Sequence, residues 1–247
     1  MRRTKVQTRT MKVSGKTIPV NIVFEKRVNC RVSIGKKGIN LRITTLMRPD
    51  EQEAQIEKMM DWARKKIGEK PALLAPKTYR DYEKESYLKV GRYRFKIVIE
   101  RKWGNSSSAH LSGTTIKLKI SRKLDGEDYR ESVSTLISRC VGRFYLDDIK
   151  TRLTKLNQIH FKKALNNVRL KHNKSNWGSC SGKGNINIST RVLFAPPDVI
   201  DYVLIHELAH LVEQNHSENF WNLVEKVMPD YKEKERWLKE NSQHCYF

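Results

Sequence analysis

The segment from Pro197 to Trp221, PDVIDYVLIHELAHLVEQNHSENFW, constrains the fold of this chain more than any other. Its apolar residues recur at helical spacing, which predicts a helix anchored in a core by one stripe. The stripe consists of Ile200, Val203, Leu204, Leu208 and Leu211. An α-helix turns about 100° per residue, so His206 and His210 project from one face with Cβ atoms about 6 Å apart. Two imidazoles can therefore meet one metal ion.

The residues around this histidine pair match the pattern of a catalytic metal site. Glu207 is displaced from the histidine face, yet it lies close enough to hold a metal-bound water, as in the H-E-x-x-H arrangement of metalloproteases. Catalytic zinc usually takes three protein ligands and keeps a fourth position for water, which predicts one further ligand. We expect His216, six residues after His210, to complete the site.

His216 can reach the metal only if the helix ends before it. Six residues of straight helix would turn it by about 600° and raise it by about 9 Å, away from the other two histidines. We expect Asn215 to close the helix in a left-handed conformation and Ser217 to cap the next helix. The spacing of the histidines is that of the metzincins, but Glu213 stands where those proteins have a glycine, so that class fits poorly.

This residue set predicts hydrolytic chemistry. Zinc on the three histidines would lower the pKa of a bound water toward about 7, with Glu207 as the general base that takes its proton. The resulting hydroxide would attack a carbonyl, and Glu207 would then protonate the leaving amine. We therefore expect a zinc-dependent hydrolase, with peptide or protein as its substrate.

Length and composition restrict the class of protein. A chain of 247 residues can bury one core or two lobes, and 38% apolar residues exclude an intrinsically disordered chain. The chain has no apolar run near the roughly 20 residues that span a bilayer, and its start lacks a secretory signal. Four scattered cysteines, without a C-x-x-C pair, read as reduced thiols. We expect a cytoplasmic protein without a membrane partner.

The positive charge is concentrated away from the histidine segment. The formal net charge is +22. Residues 1–76 contain 18 Lys/Arg against 7 Asp/Glu, whereas residues 198–247 contain 5 against 10. So much positive charge, with tyrosines among the basic residues, exceeds what solubility requires and makes nucleic acid a candidate partner.

The pattern along the chain predicts two lobes, with a β-rich N-terminal lobe at 1–75 and a larger lobe at 76–247. The first lobe has strand-like segments between Lys16 and Thr45, expected as a small antiparallel sheet, and a helix from Pro49 to Ile67. Residues 68–78 read as a connector. In the second lobe we expect several elements. They are paired strands at 92–100 and 115–120, a helix from Asp125 or Asp128 to about Ile159, the strands VRLKH and NINISTRVLF separated by the turn WGSCSGKG, and C-terminal helices. No internal repeat is visible in the sequence.

Several short strings resemble one family. They are W-G-S-C at Trp177 to Cys180, G-N-I-N at Gly184 to Asn187, A-P-P at Ala195 to Pro197, D-Y-V-L-I-H-E-L-A-H-L from Asp201, N-H-S-E-N-F-W at Asn215 to Trp221, and M-P-D-Y-K-E at Met228 to Glu233. On these strings the chain resembles the YgjP-like family of metal-dependent hydrolases, related to zinc metalloproteases of the SprT and Wss1 type. Dense similarity covers about residues 175–238. Asn176 stands where the family has an arginine.

The resemblance implies an α+β fold with a zincin-like catalytic lobe of the gluzincin or minigluzincin type, built around an active-site helix. It implies the zinc ligands His206, His210 and His216 and the general base Glu207. It also implies a substrate-lining strand near Trp177 to Asn187, where we expect Trp177, Ser179 and Asn185 to contact substrate.

Alternatives remain at four points. The protein is a nucleic-acid-binding module if its zinc is only structural or vestigial, although a structural site has no need of Glu207. The bond cleaved could be an amide other than a peptide. Cys180 reads better as a buried thiol than as a nucleophile or fourth ligand. The oxyanion donor stays open among His172, Tyr202 and a backbone N–H near Trp177 to Cys180.

Overall fold

The chain forms two compact units, Met1–Lys77 and Thr78–Phe247, which are described separately. The computed structural model describes residues 5–35, 38–69, 74, 79–173 and 175–247. Much of the predicted connector at 68–78 lies outside the described residues, and so does the lobe boundary expected at 75/76. That boundary therefore stays a prediction.

Unit 1 is a four-stranded sheet followed by one helix. Its elements are β1 (Lys5–Val13), β2 (Lys16–Glu25), β3 (Arg31–Gly35), β4 (Gly38–Thr44) and α1 (Pro49–Glu69). The strand order is β1-β2-β4-β3, and β2 pairs with β4 in parallel. The expectation of a purely antiparallel sheet was therefore wrong. The more apolar β4, with Ile39, Leu41 and Ile43 fully buried, takes the central position, and the less buried β3 is left at the edge.

The core of unit 1 lies between this sheet and one face of α1. The buried helix residues recur at helical spacing and pack against alternate residues of the central strands. On α1 they are Ile56, Met59, Met60, Ala63 and Ile67, and on the central strands they include Val20, Ile22, Leu41 and Ile43. The opposite face of the sheet is polar.

Unit 2 begins with the same arrangement. β5 (Tyr87–Val90), β6 (Tyr93–Lys102), β7 (Ser108–Ser112) and β8 (Thr115–Ser121) are ordered β5-β6-β8-β7, and α2 (Gly126–Leu156) follows. The predicted pairing of 92–100 with 115–120 is confirmed as the parallel pair β6 and β8. The polar stretch between them contains β7, which was not predicted. Both units therefore share one β-β-β-β-α topology, although the sequence has no visible repeat.

A second, smaller sheet of unit 2 lies next to the histidine segment. β9 (Asn167–Lys171), β10 (Gly178–Cys180) and β11 (Asn185–Ser189) are ordered β10-β11-β9. The prediction of a turn over W-G-S-C was wrong for its last three residues, because they pair antiparallel with β11 and only the residues after Cys180 turn. The strand predicted over NINISTRVLF ends at Ser189, and a short 3-10 helix, Thr190–Phe194, follows.

Three helices complete unit 2: α3 (Pro197–Ala209), α4 (Glu218–Val227) and α5 (Tyr231–Asn241). α3 is buried on nearly all sides, which fits its high apolar content. Arg152 of α2 holds it in place by donating to both carboxylate oxygens of Asp201 and, at 2.6 Å, to the carbonyl of Pro197. Within the described residues, no helix combines the length and apolar character needed to cross a bilayer.

The ion pair between Arg152 and Asp201 should stabilise unit 2 measurably. Both side chains are about two-thirds or more covered, with 33% and 27% exposed, and the geometry is bidentate. We expect Asp201→Asn to lower the free energy of unfolding by about 1–2 kcal/mol, measured by urea denaturation. Glu235→Gln, which breaks the more exposed pair with Lys239 on α5, should cost less than about 0.5 kcal/mol. An equal loss of unfolding free energy in the two variants would show that the ion pair between Arg152 and Asp201 does not contribute more stability than an exposed one.

Candidate active site

The fold brings His206, His210 and His216 together at the C-terminal end of α3. The ring centroid of His206 lies 5.0 Å from the centroid of His210 and 5.0 Å from that of His216. The centroids of His210 and His216 are 4.7 Å apart. The Nε2 atoms of His206 and His216 are separated by 3.1 Å. One nitrogen of each ring lies within 4.8 Å of the other two, so the three side chains can share one ion.

The return of the chain to the site depends on the segment after His210. α3 ends at His210, as the spacing requires, and Ser217 stands at the N-cap of α4. Asn215 does not adopt the left-handed conformation that we expected: among described residues other than glycine, only Ser14 and Lys162 have a positive φ. Instead, its side-chain oxygen accepts a hydrogen bond from the Ser217 N–H at 3.0 Å, so a side-chain contact shapes the turn.

A backbone carbonyl orients one of the histidines. The Nδ1 atom of His210 lies 3.1 Å from the carbonyl oxygen of Glu213 and donates a proton to it, which leaves Nε2 with its lone pair toward the other histidines. The Gln214 side chain donates to the carbonyl of His210 and closes the same turn. Glu213 therefore contributes through its main chain at the position where the metzincins have glycine.

Phe220 forms the apolar base of the histidine cluster. Its side chain is fully buried, and its ring centroid lies 4.9, 4.5 and 4.8 Å from those of His206, His210 and His216. The neighbouring Trp221 stacks on His216 at 5.8 Å. Phe220 was missed at the level of sequence. Its place in the first turn of α4, four residues after His216, was the available signal.

Glu207 and Gly178 are in direct contact. Glu207 is 4% exposed. A Cβ atom added at Gly178 would lie 2.3 Å from its Oε1 atom and 2.7 Å from its Cγ atom, so the glycine of W-G-S-C is what lets β10 approach the carboxyl group. The other carboxyl oxygen, Oε2, is buried and has no hydrogen-bond partner among the described residues. Gly178 is thus a site residue that sequence reasoning did not single out.

Burial sets the protonation of the site. It raises the pKa of Glu207 to about 8 in the absence of a metal. Burial, followed by the nearby His210 and His216, lowers the pKa of His206 to about 3, and burial also lowers the pKa of His210. These two imidazoles are therefore neutral at pH 7, which is the form that binds a metal.

Cys180 is not part of the histidine cluster. Burial, and then the charge of Glu207, raise the pKa of its thiol to about 11. A thiol with that pKa is protonated near neutral pH, so it is a poor nucleophile and a poor metal ligand. Among the described residues, the metal-ligating cluster at this site contains only the three histidines. These observations favour a buried thiol without a chemical role.

The three residues expected to contact substrate lie in or beside the β10–β11 hairpin. Trp177 is half-buried beneath the guanidinium group of Arg191, 4.7 Å from its ring centroid. Ser179 pairs with Asn187 across the hairpin, and Asn185 donates to Ser181 at 3.3 Å. Side chains alternate along a strand, so Ser179 points away from the face that Gly178 presents to Glu207. The substrate contacts stay a prediction.

The candidates for the oxyanion donor have different surroundings. Tyr202 is buried, with its ring centroid 6.0 Å from that of His206, and burial raises its pKa, so its hydroxyl keeps the proton that a donor needs. The ring of His172 packs near Phe247, at 6.1 Å. Tyr202 is therefore the candidate side chain with a ring contact to the histidine cluster.

The histidine cluster fits a tetrahedral metal ion. Two nitrogens bound to zinc at 2.0–2.1 Å stand about 3.4 Å apart, close to the 3.1 Å between the Nε2 atoms of His206 and His216. Three nitrogen donors leave one of four positions open, and Glu207, next to His206 in the sequence, has a buried oxygen without a partner among the described residues. Three imidazoles, with a carboxyl group on the same helix as two of them, form a donor set that suits a catalytic divalent metal.

Glu207 predicts how the stability of the metal-free protein depends on pH. Its pKa is about 8 in the folded chain against 4.5 in the unfolded one, so the folded state binds more protons between these values and loses stability as pH rises toward 8. The two histidines with lowered pKa affect stability only below about pH 6.5, their unfolded value.

We therefore expect the urea midpoint of the protein in EDTA to fall from pH 6.5 to 8.5. The midpoint of Glu207→Gln should change less over the same range, because glutamine has no proton to lose. Parallel curves for the two proteins would show that Glu207 does not titrate in this range.

Comparisons with known proteins found one family and two solved structures. The family model described as "YgjP-like, metallopeptidase domain" matches residues 28–241. The metallopeptidase zymogen abylysin of Pyrococcus abyssi is 33% identical, over 37% of this chain and 93% of that one, with a TM-score of 0.35. The zymogen jannalysin of Methanocaldococcus jannaschii is 20% identical, over 37% and 94%, with a TM-score of 0.33.

No curated protein matches the chain. The family match spans most of both units and includes all three clustered histidines together with Glu207. Metallopeptidases of this kind act with a metal ion on peptide or protein substrates. The chain belongs to the YgjP-like metallopeptidase family.

Proposed function

We propose that the protein is a zinc-dependent metallopeptidase whose catalytic lobe is of the zincin type and cleaves peptide bonds. One observation carries the proposal: three imidazoles converge within ligand distance of one another, and the helix that supplies two of them also carries Glu207, whose buried carboxyl oxygen Oε2 has no hydrogen-bond partner among the described residues. In this proposal His206, His210 and His216 hold the metal, and Glu207 is the general base. The family match supports the same reading.

The histidines are suited to hold zinc with little rearrangement. His206 and His210 come from the rigid end of α3, whereas His216 is placed by the turn after it and by the packing of Phe220 and Trp221. A site whose ligands are positioned by packed neighbours loses little conformational entropy on binding. When bound, zinc would supply a Lewis acid that polarises the scissile carbonyl, acidifies water and favours the charged form of Glu207.

Glu207 carries the proton through the reaction. Its carboxylate accepts a proton from the attacking water and later delivers it to the leaving amine nitrogen, so one residue serves first as base and then as acid. The contact with Gly178 on one side and burial on the others restrict its rotamers. A general base held in place in this way stays within hydrogen-bond reach of the reacting atoms.

A second candidate function is a nucleic-acid-binding module with a structural zinc. A structural zinc is almost always enclosed by four protein ligands, whereas this cluster offers three histidines. A buried carboxyl group without a partner costs stability, and a structural site gives no reason to keep it. The same chemistry could also cleave other amides, so substrates should include non-peptide amides beside peptides.

Zinc content and cleavage, measured on the same variants, test the proposal. We expect about one zinc per chain in the wild type and in Glu207→Gln, and a loss of zinc in His216→Ala, because two imidazoles bind weakly. On a mixed fluorogenic peptide library, Glu207→Gln should lose at least about 100-fold in kcat/KM while it keeps its zinc.

His160→Ala provides the control for these variants, since His160 is exposed and lies outside the cluster. It should retain both zinc and activity. Full zinc in His216→Ala would overturn the ligand assignment. Full zinc in the wild type, with equal cleavage in Glu207→Gln, would favour the structural-zinc alternative.

Gly178 offers a sharper test of how Glu207 is positioned. Gly178→Ala should displace the carboxyl group and lower kcat/KM at least about tenfold with zinc content unchanged, because the methyl group would occupy the place of the carboxyl atoms. Gly182→Ala, in the same segment, has open space around its added methyl group and should behave as the wild type. If the two variants retain equal activity, β10 does not hold Glu207 in place.

A further inference from the structure

The outward face of the β5–β8 sheet exposes five cationic side chains and one acidic side chain. The opposite face packs against α2 through the core of unit 2, so alternate residues of each strand point to solvent. The exposed cationic residues are Lys89, Arg94, Lys96, Lys117 and Lys119, and Glu100 is the acidic residue exposed on these strands.

The pairing of the strands places these cations in adjacent rows. Lys89 stands opposite Arg94, and Lys117 lies beside both Val98 and His110. Neighbouring strands are about 4.8 Å apart, so residues in one row are close enough to act on one ligand. Lys96 lies in the next row beside Tyr87, and Lys119 lies beside Glu100, so the cations occupy four successive rows on β5, β6 and β8.

These cations lack the ion pairs that neutralise other basic residues of the chain. Among the described residues, none of the five is joined to an acidic group, whereas Arg9, Arg152 and Lys234 each contact one or two carboxylates. Lys89 and Arg94 are like charges directly opposite each other, and such a pair repels and costs stability. A bound polyanion would remove this repulsion.

An aromatic ring and an apolar side chain interrupt the patch. Tyr87 is 43% exposed, Val98 is 39% exposed, and the guanidinium group of Arg94 lies 4.2 Å from the centroid of the Tyr87 ring. An exposed ring beside cations is the combination on which nucleic-acid bases stack while their phosphates are neutralised. Solubility alone explains lysines, but it does not favour an exposed tyrosine and valine among them.

The sheet of unit 1 shows that the topology does not require such a face. Its strands have the same order, yet the middle row of its outward face is uncharged. That row consists of Thr8, Asn21, Asn40 and Ser33, with a hydrogen bond of 3.3 Å between the two asparagines. The neighbouring row holds Arg42 beside Arg31, and Arg42 contacts Glu25 at 3.4 Å, so the outward face of unit 1 exposes fewer cations without an ion pair than the β5–β8 sheet.

We propose that the outward face of the β5–β8 sheet is a binding surface for single-stranded nucleic acid. Its five cations meet phosphates, and Tyr87 stacks on a base. The exposed face of a sheet presents no helix to enter the major groove of a duplex, whereas unpaired bases can be laid across it. The surface includes neither the three histidines nor Glu207, so nucleic-acid binding can be tested independently of the peptidase proposal.

The test is fluorescence anisotropy with a labelled single-stranded 20-mer of mixed sequence, measured over a series of salt concentrations on the full chain. Five phosphate contacts predict a slope of log affinity against log salt near about −3.5. The double variant Lys96→Glu with Lys117→Glu should bind at least about tenfold more weakly, with a slope near about −2. Tyr87→Ala should lower the affinity without changing the slope, because the ring carries no charge.

The matched control is Lys58→Glu with Lys65→Glu, which makes the same change in charge on exposed residues of α1. It should keep the affinity of the wild type within about threefold. Equal weakening in both double variants would assign binding to net charge and overturn the proposal. So would tighter binding of a duplex of the same sequence, or no binding of the single strand by the wild type. Neither the affinity nor its salt dependence is measured through cleavage. Failure of the nucleic-acid proposal can therefore be distinguished from failure of the peptidase proposal.

Discussion

The contact between β10 and α3 is the interaction on which the site depends. Glu207 projects from the buried face of its helix into protein rather than toward water, and Gly178 leaves just enough room for its carboxyl group. A larger residue on β10 would force either the strand or the carboxyl group to move. The same contact removes water from Glu207, and that desolvation is the cause of its raised pKa.

The histidine cluster is organised by packing as much as by spacing. A helix places two imidazoles on one face, but the third requires the helix to stop and the chain to turn back. Side chains and carbonyls of the turn itself supply that geometry, through Glu213 and Asn215, and Phe220 fills the space beneath all three rings. An apolar base of this kind fixes ring orientation, and burial lowers the pKa of His206 and His210, so protons compete poorly with a metal for these two rings.

Within unit 2, the exposed cations of the β5–β8 sheet and the histidine cluster lie on different elements. The histidine segment is acidic overall, whereas the β5–β8 sheet exposes cations without ion pairs. The two units share one topology, but the outward faces of their sheets differ in charge. The inward face of each sheet must bury apolar residues against a helix. The outward face has no such constraint, so two units of the same topology can differ in function there.

The sequence by itself determined the elements with strong local signals. The helical stripe of α3, the end of that helix before His216 and the pairing of β6 with β8 all follow from periodicity and from the reach of the chain. It did not reveal the parallel pairing inside each sheet or the strand β7, because these depend on which strand competes best for a central, buried position. It also did not reveal the turn contact of Asn215, whose side chain accepts a hydrogen bond from the Ser217 N–H.

Some residues of the candidate site could be predicted from the sequence, and others could be found only in the tertiary structure. The residue types and spacing of His206, His210 and Glu207 pointed to a metal, since helical geometry relates them without further information. Gly178 and Phe220 emerged only in the tertiary structure, because they meet the site from elements distant in sequence or across a turn. Spacing within one helix is a local property, whereas the room left beside a buried carboxyl group is decided by how separate elements pack.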